Sequence, residues 1–128
     1  MRHRLTRRAD TDIEHILEET LRAFGPTQVQ AYAQLIDRAI AMVAEVPERP
    51  SSQGRPDLGP GIRSFHVALA SGRRRSASHI LYFTITDAMG GEREVVILRV
   101  LHDRMEPRLR LTSATAAEGN ADEASHER

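Results

Sequence analysis

The sequence predicts an α+β domain of order βααβββ, in which an N-terminal helical hairpin packs on one face of a mainly antiparallel sheet. Three observations carry that prediction. Apolar residues recur at spacings of three and four through two consecutive segments near the N-terminus, the period of an amphipathic helix. Three later runs change to a period of two, as half-buried strands require. Between the two regimes lies a Pro- and Gly-rich stretch with no period, which reads as a loop.

The segment from Arg2 to Thr6 has Leu5 as its only large apolar residue, a weak strand signal that gains meaning from completing the order of the other elements. From Ala9 to Phe24 the positions Ala9, Ile13, Ile16, Leu17, Thr20 and Phe24 form one stripe, with Asp10, Asp12, Glu14, Glu18, Glu19 and Arg22 opposite. Asp10 and Asp12 fall in the first turns, where negative charge meets the positive end of the helix dipole. Gly25 followed by Pro26 stops this helix and starts the next. The second stripe is Val29, Tyr32, Ala33, Ile36, Ala39/Ile40 and Val43, and Pro47 and Pro50 close it after about Glu45. Two helices joined across one Gly-Pro corner form an antiparallel hairpin.

Residues 47–61 read as loop. Phe65, Val67 and Leu69 then alternate with Ser64, His66 and Ala68; Leu81, Phe83 and Ile85 alternate with Ile80, Tyr82 and Thr84; Val95, Ile97 and Leu101 alternate with Val96, Leu98 and Val100. These are three successive strands, the last apolar on both faces and therefore expected at the centre of the sheet. Asp87 to Gly91 supports a hairpin between the second and third strands, and residues 70–78, with Arg73, Arg74 and Arg75, make a longer tip between the first and second.

The chain's 128 residues amount to one domain. Leu, Ile, Val and Phe fill 29 positions, above the roughly 20% below which a chain stays disordered. Residues 112–128 contain no Val, Ile, Leu, Met or aromatic residue, so the expected division is a folded domain over 1–111 and a disordered acidic tail over 112–128. Eighteen basic and eighteen acidic residues cancel, which argues against nucleic-acid binding by bulk charge. All the basic residues are Arg. The absence of Cys removes disulfides, thiolate nucleophiles and Cys-ligated metals, and no apolar run reaches the about 20 residues of a membrane helix. With no export signal after Arg8, the cytoplasm is the expected compartment.

Taken in order, the Ala9-x-x-Asp12-Ile13-x-x-Ile16 helix, the Gly25 corner, the second helix ending at Pro47, Gly61-Ile62-Arg63-Ser64-Phe65, His79-Ile80-Leu81-Tyr82-Phe83 and the run Leu98 to Pro107 resemble the ParE branch of the ParE/RelE toxin superfamily. The resemblance covers residues 2–111 and is strongest at Arg99-x-Leu101-His102-x-Arg104-Met105-x-Pro107. It implies a toxin of a type II toxin–antitoxin pair, bound and neutralised by a small antitoxin in a hetero-oligomer. ParE-like toxins trap DNA gyrase, whereas RelE-like relatives cleave mRNA on the ribosome, and fold alone does not choose between them.

RNA cleavage needs an acid, a base and cations around the phosphate. Arg63, His102 and Arg104 would form that site if the chain were a ribonuclease, since imidazole titrates near neutrality. The Tyr that many of those ribonucleases carry beyond the last strand is missing, the stretch reading Glu106-Pro107-Arg108-Leu109-Arg110. Protein binding without catalysis is therefore the expectation, with Arg99, His102, Arg104, Met105, Arg108 and Arg110 as target-facing residues. Arg99 has a second reading: in register with Val95 and Ile97 on a covered face, it is expected to pair with a helix carboxylate. Asp12, Glu14 and Glu18 are read as solubility and dipole residues. His66, His79 and His102 lack metal-ligand spacing, and no cofactor is expected. Residues 1–111 carry net +3 and the tail −3, so the tail is expected to fold back over the Arg-rich segment from Arg104 to Arg110.

Overall fold

Thr6 ends the first strand and begins the first helix in a single residue. Its backbone is extended (φ −67°, ψ 162°) and its hydroxyl accepts the N–H of Ala9 at 3.1 Å, the arrangement of an N-cap. The same hydroxyl donates to the Leu98 carbonyl at 2.8 Å, tying the cap to the centre of the sheet. The computed structural model describes residues 1–73, 77–87, 89–108, 110–111 and 125–127. It gives strand β1 (Arg2–Thr6), helix α1 (Arg7–Phe24), helix α2 (Pro26–Glu45), and strands β2 (Gln53–Gly54), β3 (Arg63–His66), β4 (His79–Asp87), β5 (Arg93–His102) and β6 (Ser125–Glu127). The helix starts two residues before Ala9 because Arg7 and Arg8 are exposed and add nothing to the apolar stripe.

Gly25 turns the chain at φ 90°, ψ 178°, a conformation that glycine adopts without a Cβ penalty, and Pro26 opens α2. Ala9, Ile13 and Ile16 of α1 and Leu35, Ile36, Ala39, Ile40 and Val43 of α2 are buried against the sheet. The hairpin tip overhangs that core. Phe24, placed on the apolar stripe by its spacing, is 72% exposed.

The sheet runs in the order β2-β3-β4-β5-β1-β6, with β1 parallel to β5 and every other neighbour antiparallel. The loop over 47–61 contains the two-residue strand β2, which has no periodic signature at that length. The first strand of the later series stops at His66 instead of running to Leu69. His66 Nδ1 accepts the Ala68 N–H at 3.1 Å and caps a 3-10 turn over Val67–Ala70 that packs on α2. Alternation over so short a run serves a tight helical turn as well as a strand. The hairpin after β4 is closed by a second 3-10 turn, Met89–Gly91, with Gly90 at φ 85°.

The strand β5 lies centrally and is covered on both faces, as its composition predicts. A bulge changes its phase: Phe83 pairs with Ile97, but Tyr82 pairs with Arg99, so β5 carries one extra residue there. Val95, Ile97 and Val100 consequently share the helix side with Leu81 and Phe83, while Val96, Leu98 and Leu101 join Ile62, Tyr82 and Leu111 on the other. The simple alternation had placed Leu101 with Val95 and Ile97. The second face is not bare, since Leu58, Ile62 and Leu111 cover it, and Arg55 sits over the Tyr82 ring at 6.0 Å.

Asp12 holds the bulge from the helix. Its carboxylate accepts from Arg99 Nε at 2.7 Å and Nη2 at 2.8 Å, and its Oδ2 also accepts the Val100 N–H at 3.0 Å. Both side chains are nearly covered, at 11% and 13% exposure. Asp12 is thus a structural anchor, correcting its reading as a solubility residue; Glu14 and Glu18 are exposed. Of the tail, residues 125–127 form β6, which lies on β1 and not over the Arg-rich segment, while 112–124 and 128 fall outside the described residues. Removing Asp12 strands a covered guanidinium and a β5 amide together, so Asp12→Ala should lower unfolding free energy by about 3–5 kcal/mol. Urea titration followed by circular dichroism measures it, and a loss below about 1 kcal/mol, the scale of an exposed pair, would refute the anchor.

Candidate functional site

The antiparallel pairing of β4 with β5 places His79 opposite His102 at one end of the sheet. The chain leaves β5 through a turn in which Met105 N–H bonds the His102 carbonyl at 2.9 Å and Asp103 N–H bonds the Ser78 carbonyl at 2.8 Å. Residues 107–108 and 110–111 are helical, and Leu111 is buried against the second face. An open groove of about 520 Å³ lies between this exit and α1, with His15, Ile16 and Glu19 on the helix side and His79, Arg99, His102, Arg104, Met105 and Arg110 on the strand side.

Within the groove the cations divide into two kinds. Arg99 is spent on structure: besides Asp12, its Nη1 donates to the Arg110 carbonyl at 3.3 Å, so it fixes the exit and offers little surface. This is the helix-carboxylate pairing expected from its register. Arg104, Arg108 and Arg110 are exposed, and Met105 is 43% exposed among them. Arg108 follows Glu106, whose Oε1 accepts the Arg108 N–H at 3.1 Å. Of these exit residues, Arg104, Met105 and Arg110 line the groove, which sets guanidinium groups beside one apolar side chain.

The histidines are braced by their neighbours. His102 Nδ1 accepts the Arg104 N–H at 3.1 Å and lies 3.3 Å from Asp103 Oδ1. Asp103 Oδ2 is 3.2 Å from His66 Nε2. His79 Nδ1 is 2.7 Å from the Tyr32 hydroxyl, which accepts the Ser78 N–H at 3.2 Å, so the hydroxyl proton is free to point at His79. The His79 and His102 rings meet edge to face with centroids 5.4 Å apart. Burial, and then the nearby His102, push the His79 imidazole down to about 4. Burial raises the Tyr32 phenol, against the Ser78 N–H that lowers it.

Arg63 is not part of this assembly. It opens β3 opposite Phe83, four residues along β4 from His79, or about 13 Å at a strand's rise. Its guanidinium is held by Ser52, with Nη2 donating to Oγ at 2.7 Å and to the carbonyl at 3.1 Å. His102 and Arg104 are adjacent, but the trio Arg63, His102 and Arg104 does not converge. Among the described residues no group of three or more His, Cys, Asp or Glu side chains could hold a metal ion. Arg73 is exposed at its loop, and Arg74 and Arg75 lie outside the described residues.

Sequence reasoning missed the helix wall of the groove and the bracing of His79. His15 and Glu19 stand one turn apart on the polar face of α1, a spacing that was available but not distinctive. Tyr32 was placed on the α2 stripe for its ring, whereas its hydroxyl makes the contacts that matter here.

Residues 4–107 match the family model described as the ParE toxin of the type II toxin–antitoxin system parDE. The curated relative Toxin ParE1 of Caulobacter vibrioides is 33% identical over 109 residues, covering 85% of this chain and 96% of that protein. A solved structure described as the chromosomal ParDE TA system from P. aeruginosa superposes with a TM-score of 0.58 at 24% identity, covering 80% of this chain and 95% of that one; at that identity it supports the fold. No helix among the described residues is long and apolar enough to cross a membrane.

His79 gives the site a pH signature. With its folded value near 4 and its free value near 6.5, the unfolded chain takes up this proton first, so stability is intact above about 6.5 and declines as the pH falls toward 4. In urea titrations at pH 7.5 and 4.5, His79→Gln should lose less stability between the two values than the parent chain. Equal losses would show that His79 does not stay neutral in the fold.

Proposed function

The chain belongs to the ParE toxin family of type II toxin–antitoxin systems, and from that membership we propose that it inhibits DNA gyrase by direct binding and is neutralised by a cognate antitoxin. The observation that carries the reading is the division of cations at the β5 exit. Arg99 is locked inside on Asp12, while the exposed Arg104, Met105 and Arg110 line the groove. A surface of this kind gains affinity from apolar contact at its centre and orientation from the charged rim. His102 braces the turn that sets the angle of Arg104, so its role is to position the contact surface.

Catalysis is not what this geometry favours. An RNA-cleaving reading needs Arg63 beside His102 and Arg104, and Arg63 is engaged by Ser52 farther along the sheet. The function proposed here makes and breaks no covalent bond. The antitoxin partner follows from family membership and from a fold whose exit groove an amphipathic helix or strand can cover. Both partners place the site of action in the cytoplasm, in a hetero-oligomer with the antitoxin until release.

Purified protein should block gyrase supercoiling, and the double variant Arg104→Glu/Arg110→Glu should raise the half-inhibitory concentration by about tenfold or more, the equivalent of 1.4 kcal/mol. Arg63→Ala should leave inhibition within about twofold. Normal supercoiling at saturating protein, together with new mRNA 5′ ends on ribosomes exposed to it, would replace this reading with ribosome-dependent cleavage.

A further inference from the structure

The residues matched to the family end at 107, and the strand that the C-terminal segment adds lies beyond them. The sheet has two ends. One is β2, only two residues long and too short to template much pairing. The other would be β1, five residues whose inner side is taken by β5 and whose outer side would present unpaired backbone groups. In this chain β6 fills that outer side antiparallel, with Thr6 opposite Ser125, Leu5 opposite His126 and Arg4 opposite Glu127.

Two features make the pairing specific. The first eight residues contain four Arg and no acid, while residues 112–128 contain four acids and one Arg. The register sets a carboxylate residue opposite a guanidinium residue, an arrangement that favours cross-strand pairing. The tail also lacks any large apolar residue, so it has no core of its own to bury, and main-chain bonds with charge are what it has to offer. The receiving strand is fixed in place by the Thr6 hydroxyl on Leu98 and by the Arg4 Nε bond to the buried Glu94 at 3.0 Å.

We propose that the outer edge of β1 is a docking surface for an extended acidic strand, and that the chain's own C-terminal segment is its resident occupant. Bound in cis, the segment caps the longer edge of the sheet against pairing with other chains. A partner strand of similar charge reaches β1 only by displacing it. The inference does not depend on how the toxin engages its target.

The chain has no Cys, so Arg128→Cys gives a single attachment point for a nitroxide label on the full-length protein. Amide signals of Arg2 to Thr6 should broaden, recover when the nitroxide is reduced, and broaden less at high salt. Broadening centred on residues 104–110, or none at any structured residue, would overturn the proposal. A mixture of labelled chain with isotope-labelled, spin-free chain separates cis from trans; broadening of β1 in that mixture equal to that in the singly labelled sample would assign the edge to a second copy and overturn the cis occupant. In the full chain, His126→Pro removes a backbone donor from β6 and should speed hydrogen exchange at β1 amides by about fivefold or more while leaving Ile97 unchanged. Unaltered exchange at β1 would also overturn it.

Discussion

A single carboxylate reconciles the helices with the sheet. The bulge in β5 turns Arg99 toward α1 and exposes the Val100 amide to a position where no neighbouring strand supplies the acceptor. Left alone, a covered guanidinium and an unbonded amide would each cost several kcal/mol or close to it. Asp12 meets both at once, from the second turn of a helix whose start is itself bonded to Leu98, across the bulge from Val100. The helix, the central strand and the phase shift between them therefore form one unit, and the two apolar clusters on either face of β5 follow from that shift.

The same unit sets the functional surface. Arg99 reaches past Asp12 to the Arg110 carbonyl, so the far end of the segment leaving β5 is tied back to the strand by this bond and by the burial of Leu111. Arg104, Met105 and Arg110 line the groove on that side. The histidines behind them are packed against Tyr32 and Asp103 and support the turn.

Neutral overall charge conceals this arrangement. The eighteen Arg and eighteen acids of the chain cancel only as a sum. In space, some Arg residues are consumed in covered pairs, as with Arg99 on Asp12, and others gather at the β5 exit or at β1. A formal charge count weighs a locked guanidinium and a solvated one equally, although only the second is available to a partner.

The sequence by itself determined the order of the two helices and of β1, β3, β4 and β5, the Gly25-Pro26 corner, the central place of β5 and the family, because each rests on local signals: side-chain period, turn chemistry or an ordered set of short motifs. It also foresaw that Arg99 would seek a helix carboxylate. It did not determine which carboxylate, since only the fold brings Asp12, and not Glu14 or Glu18, to the bulge, and the runs on either side of Arg99 are apolar at every position and so do not mark the phase shift. The separation of Arg63 from His102 and Arg104, the pairing of Tyr32 with His79 and the docking of residues 125–127 on β1 are likewise contacts between distant parts of the chain. Only tertiary structure decided them, because register and burial are fixed by what each strand meets across the sheet, and no local sequence pattern encodes the partner.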